Sequence, residues 1–339
     1  MTNRRRKLLA ALGAASGATT LGLLALHVFA PQRRGVLVVT QIFEPYIVLP
    51  ALIVTPLALL GRRRPALVVV VLLFGAVSVR YLPQLVSLPA AAGLGAAELK
   101  TLSWNLQQRN ISAPEIVGVI ETSDADLVGL VELVPARAVE IASDTLIAER
   151  YPHRVLPSHD VRGPGLLSRY PIIEHESWQD PALLRAVVQP RGGASPIVVY
   201  VAHPVLGETR NIGLIPIDVD TDGRDAAIRR LRQLVDADLA SDRDVLVMGD
   251  FNVTEREPAY RQLSAGLHDV HREVGFGPGH TWRPGPLEFL PFGILRIDYH
   301  FGGGRLRPVA TAADCTPRGS DHCVLTGIWR RERGTTDDG

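Results

Sequence analysis

The chain has 339 residues, 36 of them Lys or Arg and 35 Asp or Glu, for a formal net charge of +1. That balance hides a split: residues 1–90 carry 10 basic residues and one acid, Glu44, so residues 91–339 hold 26 basic and 34 acidic residues, a net of −8. A body that acidic repels polyanions at long range, which argues against tight non-specific binding of nucleic acid.

The first 90 residues read as a membrane anchor. Residues 8–30 are free of formal charge, residues 36–60 contain a single carboxylate, and a third apolar run begins at Pro65. A span needs about 20 mostly apolar residues. The first two runs meet that length, and the third does so over 65–88 if Arg80 snorkels. The rival reading of the first run is a signal peptide, because RRRK precedes it, but it is long for a signal core and two further apolar runs follow. The basic flanks at 4–7 and 62–64 mark the cytoplasmic side against Arg33 and Arg34 on the other. Three spans then place everything after about Ala90 outside the cell.

A small-residue connector over 91–98 leads into residues 99–330, where short apolar runs alternate with helical stretches, and a polar tail over 331–339 closes the chain. LKTLSWNL reads as a strand, SAPEIVGVIETS as an amphipathic helix, ADLVGLVEL as a strand ending near Glu132, and 136–150 as a helix. The runs around RGGA look like a hairpin, DGRDAAIRRLRQLVDADLA like a surface helix, and VLVMGD, IDYHF, LRPVA and CVLTGIW like further strands. Many strands with few strict strand–helix alternations predict two packed sheets with helices outside. The two cysteines, Cys315 and Cys323, are close enough in sequence for a bridge, and two reduced buried thiols fit equally well.

The apolar strands end in a repeated way. Asn105 closes LSWN, Glu132 closes LVGLVE, His203 follows VVYVA, and Asp250 and Asn252 follow VLVMG; Asp298 opens IDYHF, while Asp321 and His322 precede CVLTGIW. Each alone has a bland role in a turn, a helix start or a core. Together they make a chemical set. Glu132, Asp250, Asp321 and the amide oxygen of Asn105 are hard donors suited to Mg²⁺ or Mn²⁺. His322 has the pKa of a base for water, with Asp298 to fix its tautomer. His203 and Asn252 supply hydrogen bonds for a phosphoryl group or the attacking water.

SWN, the glutamate at 132, GDFN, RIDYHF and SDH, in that order over residues 99–329, resemble the endonuclease/exonuclease/phosphatase superfamily. The resemblance implies a four-layered α/β sandwich and cleavage of phosphate esters with Mg²⁺ or Mn²⁺. It also implies metal ligation by Asn105, Glu132 and Asp321, orientation of water and phosphate by Asp250 and Asn252, and the base pair His322–Asp298. Two further positions follow from it: Arg169 in GLLSRYPI as a phosphate contact, and Trp282 in HTWRP as a substrate contact. The sequence departs from the pattern at VAHPV, where Pro204 follows His203, and after Glu132, where Leu133 and Val134 replace polar neighbours.

Three apolar runs before such a domain also resemble the actinobacterial membrane proteins linked to teicoplanin resistance (VanJ-like), which implies a lipid-linked phosphate such as undecaprenyl diphosphate as substrate. An extracellular nuclease, a phospholipid or sphingomyelin phosphodiesterase and a non-catalytic tethered binding domain are the alternatives. The stretch RPGPLEFLPFGIL before Asp298 is either a packed connection or an apolar rim of the site.

Overall fold

The structure, a computed structural model, describes residues 2–30, 33–85, 98–107, 111–157, 163–190, 195–213 and 215–332. By its internal contacts the chain forms two units. A helical unit comprises Met1–Val86, Gly207–Asp222 and Arg256–Pro258, and a sandwich unit comprises Ser87–Leu206, Gly223–Glu255 and Ala259–Gly339.

Fourteen strands are formed among the described residues. They are β1 (Glu98–Asn105), β2 (Leu127–Leu133), β3 (His153–Val155), β4 (Gly163–Ser168), β5 (Ile172–Trp178), β6 (Ala182–Val188) and β7 (Ile197–His203). The remainder are β8 (Thr209–Ile212), β9 (Ile215–Val219), β10 (Asp244–Asp250), β11 (His268–Asp269), β12 (Asp298–Gly303), β13 (Leu306–Asp314) and β14 (Val324–Arg331). The sandwich unit holds two six-stranded sheets, ordered β13-β14-β1-β2-β4-β3 and β11-β12-β10-β7-β6-β5.

The run VLVM is apolar at every position because β10 is covered on both faces. Val245 and Val247 pack with Ile228, Leu231 and Val235 of helix Asp222–Ala240. Leu246 and Met248 turn the other way and meet Val131 and Leu166 of the first sheet. On the far side of that sheet, Leu102, Trp104, Val128 and Leu130 pack against Ile116, Ile120, Ile141 and Ile147 of three helices. Helix, sheet, sheet and helix thus make the expected four layers. The helix expected over 136–150 is two, Pro135–Ser143 and Thr145–Arg150, because Asp144 leaves helical geometry and its carboxylate caps the second one at the Ile147 N–H (3.1 Å).

One polar pillar crosses the layer between the sheets. His300 on β12 is fully buried, with Nδ1 3.1 Å from Thr101 Oγ1 and Nε2 2.8 Å from Ser103 Oγ, both on β1. Burial pushes its imidazole down to about 3, so it is neutral.

In the helical unit, Asn3–Phe29, Glu44–Gly61 and Arg64–Pro83 are each long and apolar enough to cross a membrane. The second of these differs from expectation. Val36–Ile42 is a separate short helix, and a new helix starts at Glu44 with Pro45 in its first turn, where a missing N–H is tolerated. Arg80 does not snorkel: it forks onto the buried Glu44, which also takes hydrogen bonds from His27 (2.7 Å) and Tyr81 (2.8 Å). The unit also takes in segments beyond Met1–Val86. The β8–β9 hairpin belongs to it, through Thr221 N–H donating to the Arg33 carbonyl (3.1 Å) and Gly35 N–H to Asp218 (2.8 Å). The connector over 91–98 lies outside the described residues up to Glu98, as does the polar tail beyond Glu332.

Candidate active site

Strand direction gathers the polar strand ends. β1 and β2 run parallel in one sheet and end at Asn105 and Glu132; β7 and β10 run parallel in the other and end at His203 and Asp250. β12 is antiparallel to β10, so its first residue, Asp298, lies directly opposite Asp250. Four C-terminal ends and one N-terminal start therefore share one rim of the sandwich.

The backbone is bent to serve that rim. Glu132 and Asn252 both adopt left-handed geometry (φ 53° and 51°), at a cost of roughly 1–3 kcal/mol each for a non-glycine residue. Gly249, at φ 138°, passes so close to β7 that an added Cβ would sit 2.1 Å from the Ala202 carbonyl oxygen. The glycine of GDFN is thus required by packing immediately before the carboxylate.

Asn105 Nδ2 donates to Glu132 Oε1 (3.0 Å) and to Asp250 Oδ2 (2.9 Å). His203 Nε2 is 3.5 Å from Glu132 Oε1 and 3.6 Å from Asp250 Oδ2. His322 Nδ1 pairs with Asp298 Oδ2 at 2.9 Å, while its Nε2 points to Asp250 Oδ2 (3.6 Å) and Asp321 Oδ1 (3.8 Å). Asn252 Nδ2 reaches His203 Nε2 (3.4 Å), and its backbone N–H donates to Asp250 Oδ1 (2.9 Å). Trp282 Nε1 donates to Asp321 Oδ2 at 3.0 Å. Four carboxylates and two imidazoles are thereby drawn together.

The electrostatics are those of an incomplete charge balance. Burial raises the carboxyls of Asp250 and Asp321 above the ordinary range, and His322 and, for Asp321, the Trp282 N–H offset this only in part. Burial also opposes charge on His322, but the carboxylates of Asp298, Asp250 and Asp321 prevail and push it up to about 10. Asp321 Oδ1 is buried without a hydrogen-bond partner. A buried carboxylate oxygen that accepts no hydrogen bond and has His322 Nε2 at 3.8 Å fits a bound cation. Ligand atoms of Glu132, His203 and Asp250 lie within 4.8 Å of one another, as do those of Asp250, Asp298 and His322.

Residues 102–322 match the profile of the Endonuclease/Exonuclease/phosphatase family. The chain belongs to that family. No curated protein matches the chain. Among solved structures it is similar to humanized D. rerio TDP2 carrying 14 mutations, with 21% identity and a TM-score of 0.54 over 69% of this chain and 99% of that one. It is also similar to an endonuclease/exonuclease/phosphatase from Bacteroides vulgatus, with 14% identity and a TM-score of 0.54 over 70% and 100% of the two chains. A third, from Beutenbergia cavernae DSM 12333, shows 20% identity and a TM-score of 0.50 over 69% and 72%. At such identities these likenesses speak for the fold.

Two expectations for this family's site change in the structure. Arg169 is not at the rim. It donates to Asp124 (2.5 Å) and Asp126 (3.4 Å) just before β2 begins, at the end of that strand opposite Glu132, because β4 runs antiparallel and delivers Ser168 beside Leu127. Asn105 does not offer its oxygen to the cluster: Oδ1 accepts the Gln107 N–H (2.8 Å), so the amide NH₂ faces the carboxylates and ties Glu132 to Asp250.

Sequence reasoning also missed three supporting residues. The buried Ser320 hydroxyl donates to the Asn105 carbonyl (2.7 Å) and accepts the His322 N–H (3.0 Å), linking β1 to His322. Thr281 Oγ1 accepts the Asp298 N–H (3.1 Å). Arg283, fully buried, donates from its side chain to the carbonyls of Glu288 (3.0 Å), Cys315 (3.1 Å) and Ser320 (3.4 Å). Cys315 and Cys323 are disulfide-bonded, so Arg283 is packed into a covalently closed turn around Asp321 and His322. Only the place of Ser320 and Thr281 within the SDH and HTWRP motifs could have flagged them, and a buried arginine has no sequence signal.

Proposed function

We propose that the chain is a membrane-anchored, divalent-metal-dependent hydrolase of phosphoric esters or anhydrides whose substrate is a lipid-linked phosphate of the undecaprenyl diphosphate type. The observation that carries this reading is the joint presence, in one chain, of the carboxylate–imidazole rim and three helices apolar enough to cross a membrane. Confinement to the plane of a bilayer raises the effective concentration of a lipid headgroup. The VanJ-like layout of apolar helices before a domain of this family supports the same substrate class.

In this reading Glu132, Asp250 and Asp321 would hold the cation, and Asn105 fixes the spacing of the first two. A bound Mg²⁺ or Mn²⁺ would polarise a phosphoryl oxygen and offset the carboxylates around His322. His322 takes a proton from water as the water oxygen bonds to phosphorus. Asp298 holds the ring and balances the imidazolium. His203 and Asn252 donate hydrogen bonds to the phosphoryl oxygens as the P–O bond to the leaving group breaks. Trp282 orients Asp321 through its indole N–H.

The test is turnover by the full-length protein with Mg²⁺ on undecaprenyl diphosphate, sphingomyelin and single-stranded DNA, assayed side by side. Phosphate release from the lipid diphosphate alone is the expected result, and cleavage of DNA alone would replace the reading with a nuclease. External placement, which the Cys315–Cys323 disulfide supports, has its own test. A cysteine at Gly93 should react with an impermeant maleimide in intact cells and one at Gly61 should not; the reverse pattern would invert the topology.

A further inference from the structure

The phenylalanines of the sandwich unit fall into two sharply separated groups. Phe251 and Phe301 are fully buried, and so are Tyr151, Tyr200, Tyr299 and Trp329. Phe276, Phe289 and Phe292 are instead 89%, 69% and 55% exposed. All three sit within 17 residues of one another in sequence, in the loops on either side of Trp282. Scattered exposed apolar residues need no explanation, but a set of phenylalanines gathered on neighbouring loops does.

The loops are held in place. The segment that carries Phe289 and Phe292 is pinched at its neck, where the N–H groups of Thr281 and Trp282 donate to the Leu295 carbonyl (2.7 and 2.9 Å) and Ile294 N–H returns to the Trp282 carbonyl (2.6 Å). Within it, Arg283 Nε holds the Glu288 carbonyl at 3.0 Å, one residue before Phe289. The neck is also the edge of the active site, since Trp282 is bridged to His322 and donates to Asp321. Phe276 and Phe292 line a common cavity of about 480 Å³ with Pro278, His280, Ala312 and Cys315. Burial lowers the pKa of His280, so the named lining residues bear no formal charge at neutral pH.

We infer that Phe276, Phe289 and Phe292 form a bilayer-contacting face of the sandwich unit that inserts into the hydrocarbon boundary beside the active site. The inference rests on the membrane anchoring in the function proposed above. A bilayer is the partner because the same chain carries three membrane-length apolar helices, which keep a bilayer within reach of the domain at all times. Electrostatic attraction cannot perform the task. With a net charge of −8 and Lys100 as the only lysine in residues 91–339, the domain is repelled by an anionic surface, so apolar insertion must supply the contact. Contact at this face would present a headgroup phosphate to the rim without drawing its chains fully into water.

The experiment uses the full-length protein reconstituted in phosphatidylcholine vesicles, with Phe289→Cys carrying an environment-sensitive fluorophore. The native cysteines are disulfide-bonded, so the label goes to the new thiol. A side chain inserted about 5–10 Å below the surface meets a nitroxide placed high on the acyl chain, so emission should fall roughly by half in spin-labelled vesicles. Val139→Cys, an exposed position on helix Pro135–Ser143, is the control and should keep its emission. No quenching at position 289, or equal quenching at both positions, overturns the inference. A second variant, Phe289→Ser with Phe292→Ser, should lose at least about tenfold more turnover on a long-chain lipid diphosphate than on a short soluble phosphate ester. Equal losses on the two substrates at an unchanged melting temperature also overturn it. Quenching at position 289 in a protein that cleaves no lipid phosphate would uphold the bilayer contact and remove the proposed substrate instead.

Discussion

The two ends of the β1–β2 pair carry similar side chains and are opposite in character. At the start of the strands, Asp124 is half exposed and is met by Arg169, Lys100 and Arg150, so the hydrogen bond from Arg169, aided by Lys100, holds its carboxyl down to about 2. At the far end, roughly 17 Å away along β1 at 3.3 Å per residue, Asp250 and Asp321 are buried, among the described residues no arginine or lysine side chain is ion-paired with either, and burial raises both. One end is a set of matched charges in water. The other holds four carboxylates and two imidazoles, with one carboxylate oxygen that accepts no hydrogen bond. What separates a structural cluster from a reactive one here is charge left unbalanced in a low dielectric.

The largest effect that could break this contrast is at the base. His322→Ala removes the proposed proton acceptor and should lower turnover by roughly 10²–10⁴-fold, with affinity for Mn²⁺ little changed. Near-normal hydrolysis by that variant would take the role from His322.

A smaller effect concerns the fully buried imidazole between the two sheets. His300 has a folded pKa of about 3 against 6.5 for the free side chain. Between those values the unfolded state binds the extra proton. The stability from its neutral, hydrogen-bonded form is therefore present above pH 6.5 and lost as pH falls toward 3, with a slope of up to about 1.4 kcal/mol per pH unit. Melting curves of wild type and His300→Gln should differ most near pH 7 and converge on acidification. A difference that does not change with pH would contradict the assignment of a neutral pillar.

The smallest effect belongs to the balanced end. Arg169→Met should leave turnover unchanged and shift stability by at most about 1 kcal/mol, as for other exposed pairs. A large loss of activity would mean that the two ends are not independent.

Much of this was legible in the sequence because the signal was chemical and local. VLVMGDFN announces a strand covered on both faces that ends in a carboxylate and an amide; parallel pairing with β7 then brings Asp250 beside His203, and antiparallel pairing with β12 sets it opposite Asp298. What the sequence hid depends on the third dimension. Arg169 lies one residue beyond β4, and only the antiparallel pairing of β4 with β2 reveals that it faces Asp124 rather than Glu132. The Asn105 amide was counted as an oxygen donor, yet the left-handed Gln107 brings its N–H back onto that oxygen. Arg283 is invisible for a different reason: its partners are backbone carbonyls, which no residue pattern records.

The central claim is that the unbalanced end holds a divalent cation. Electron paramagnetic resonance of Mn²⁺ titrated into the full-length protein at neutral pH tests it without requiring a known substrate. The account expects saturable binding by wild type and a dissociation constant raised at least about tenfold in Glu132→Gln, the lower bound for groups that support a bound metal. Absence of saturable binding in wild type, or identical curves for the two proteins, would contradict it.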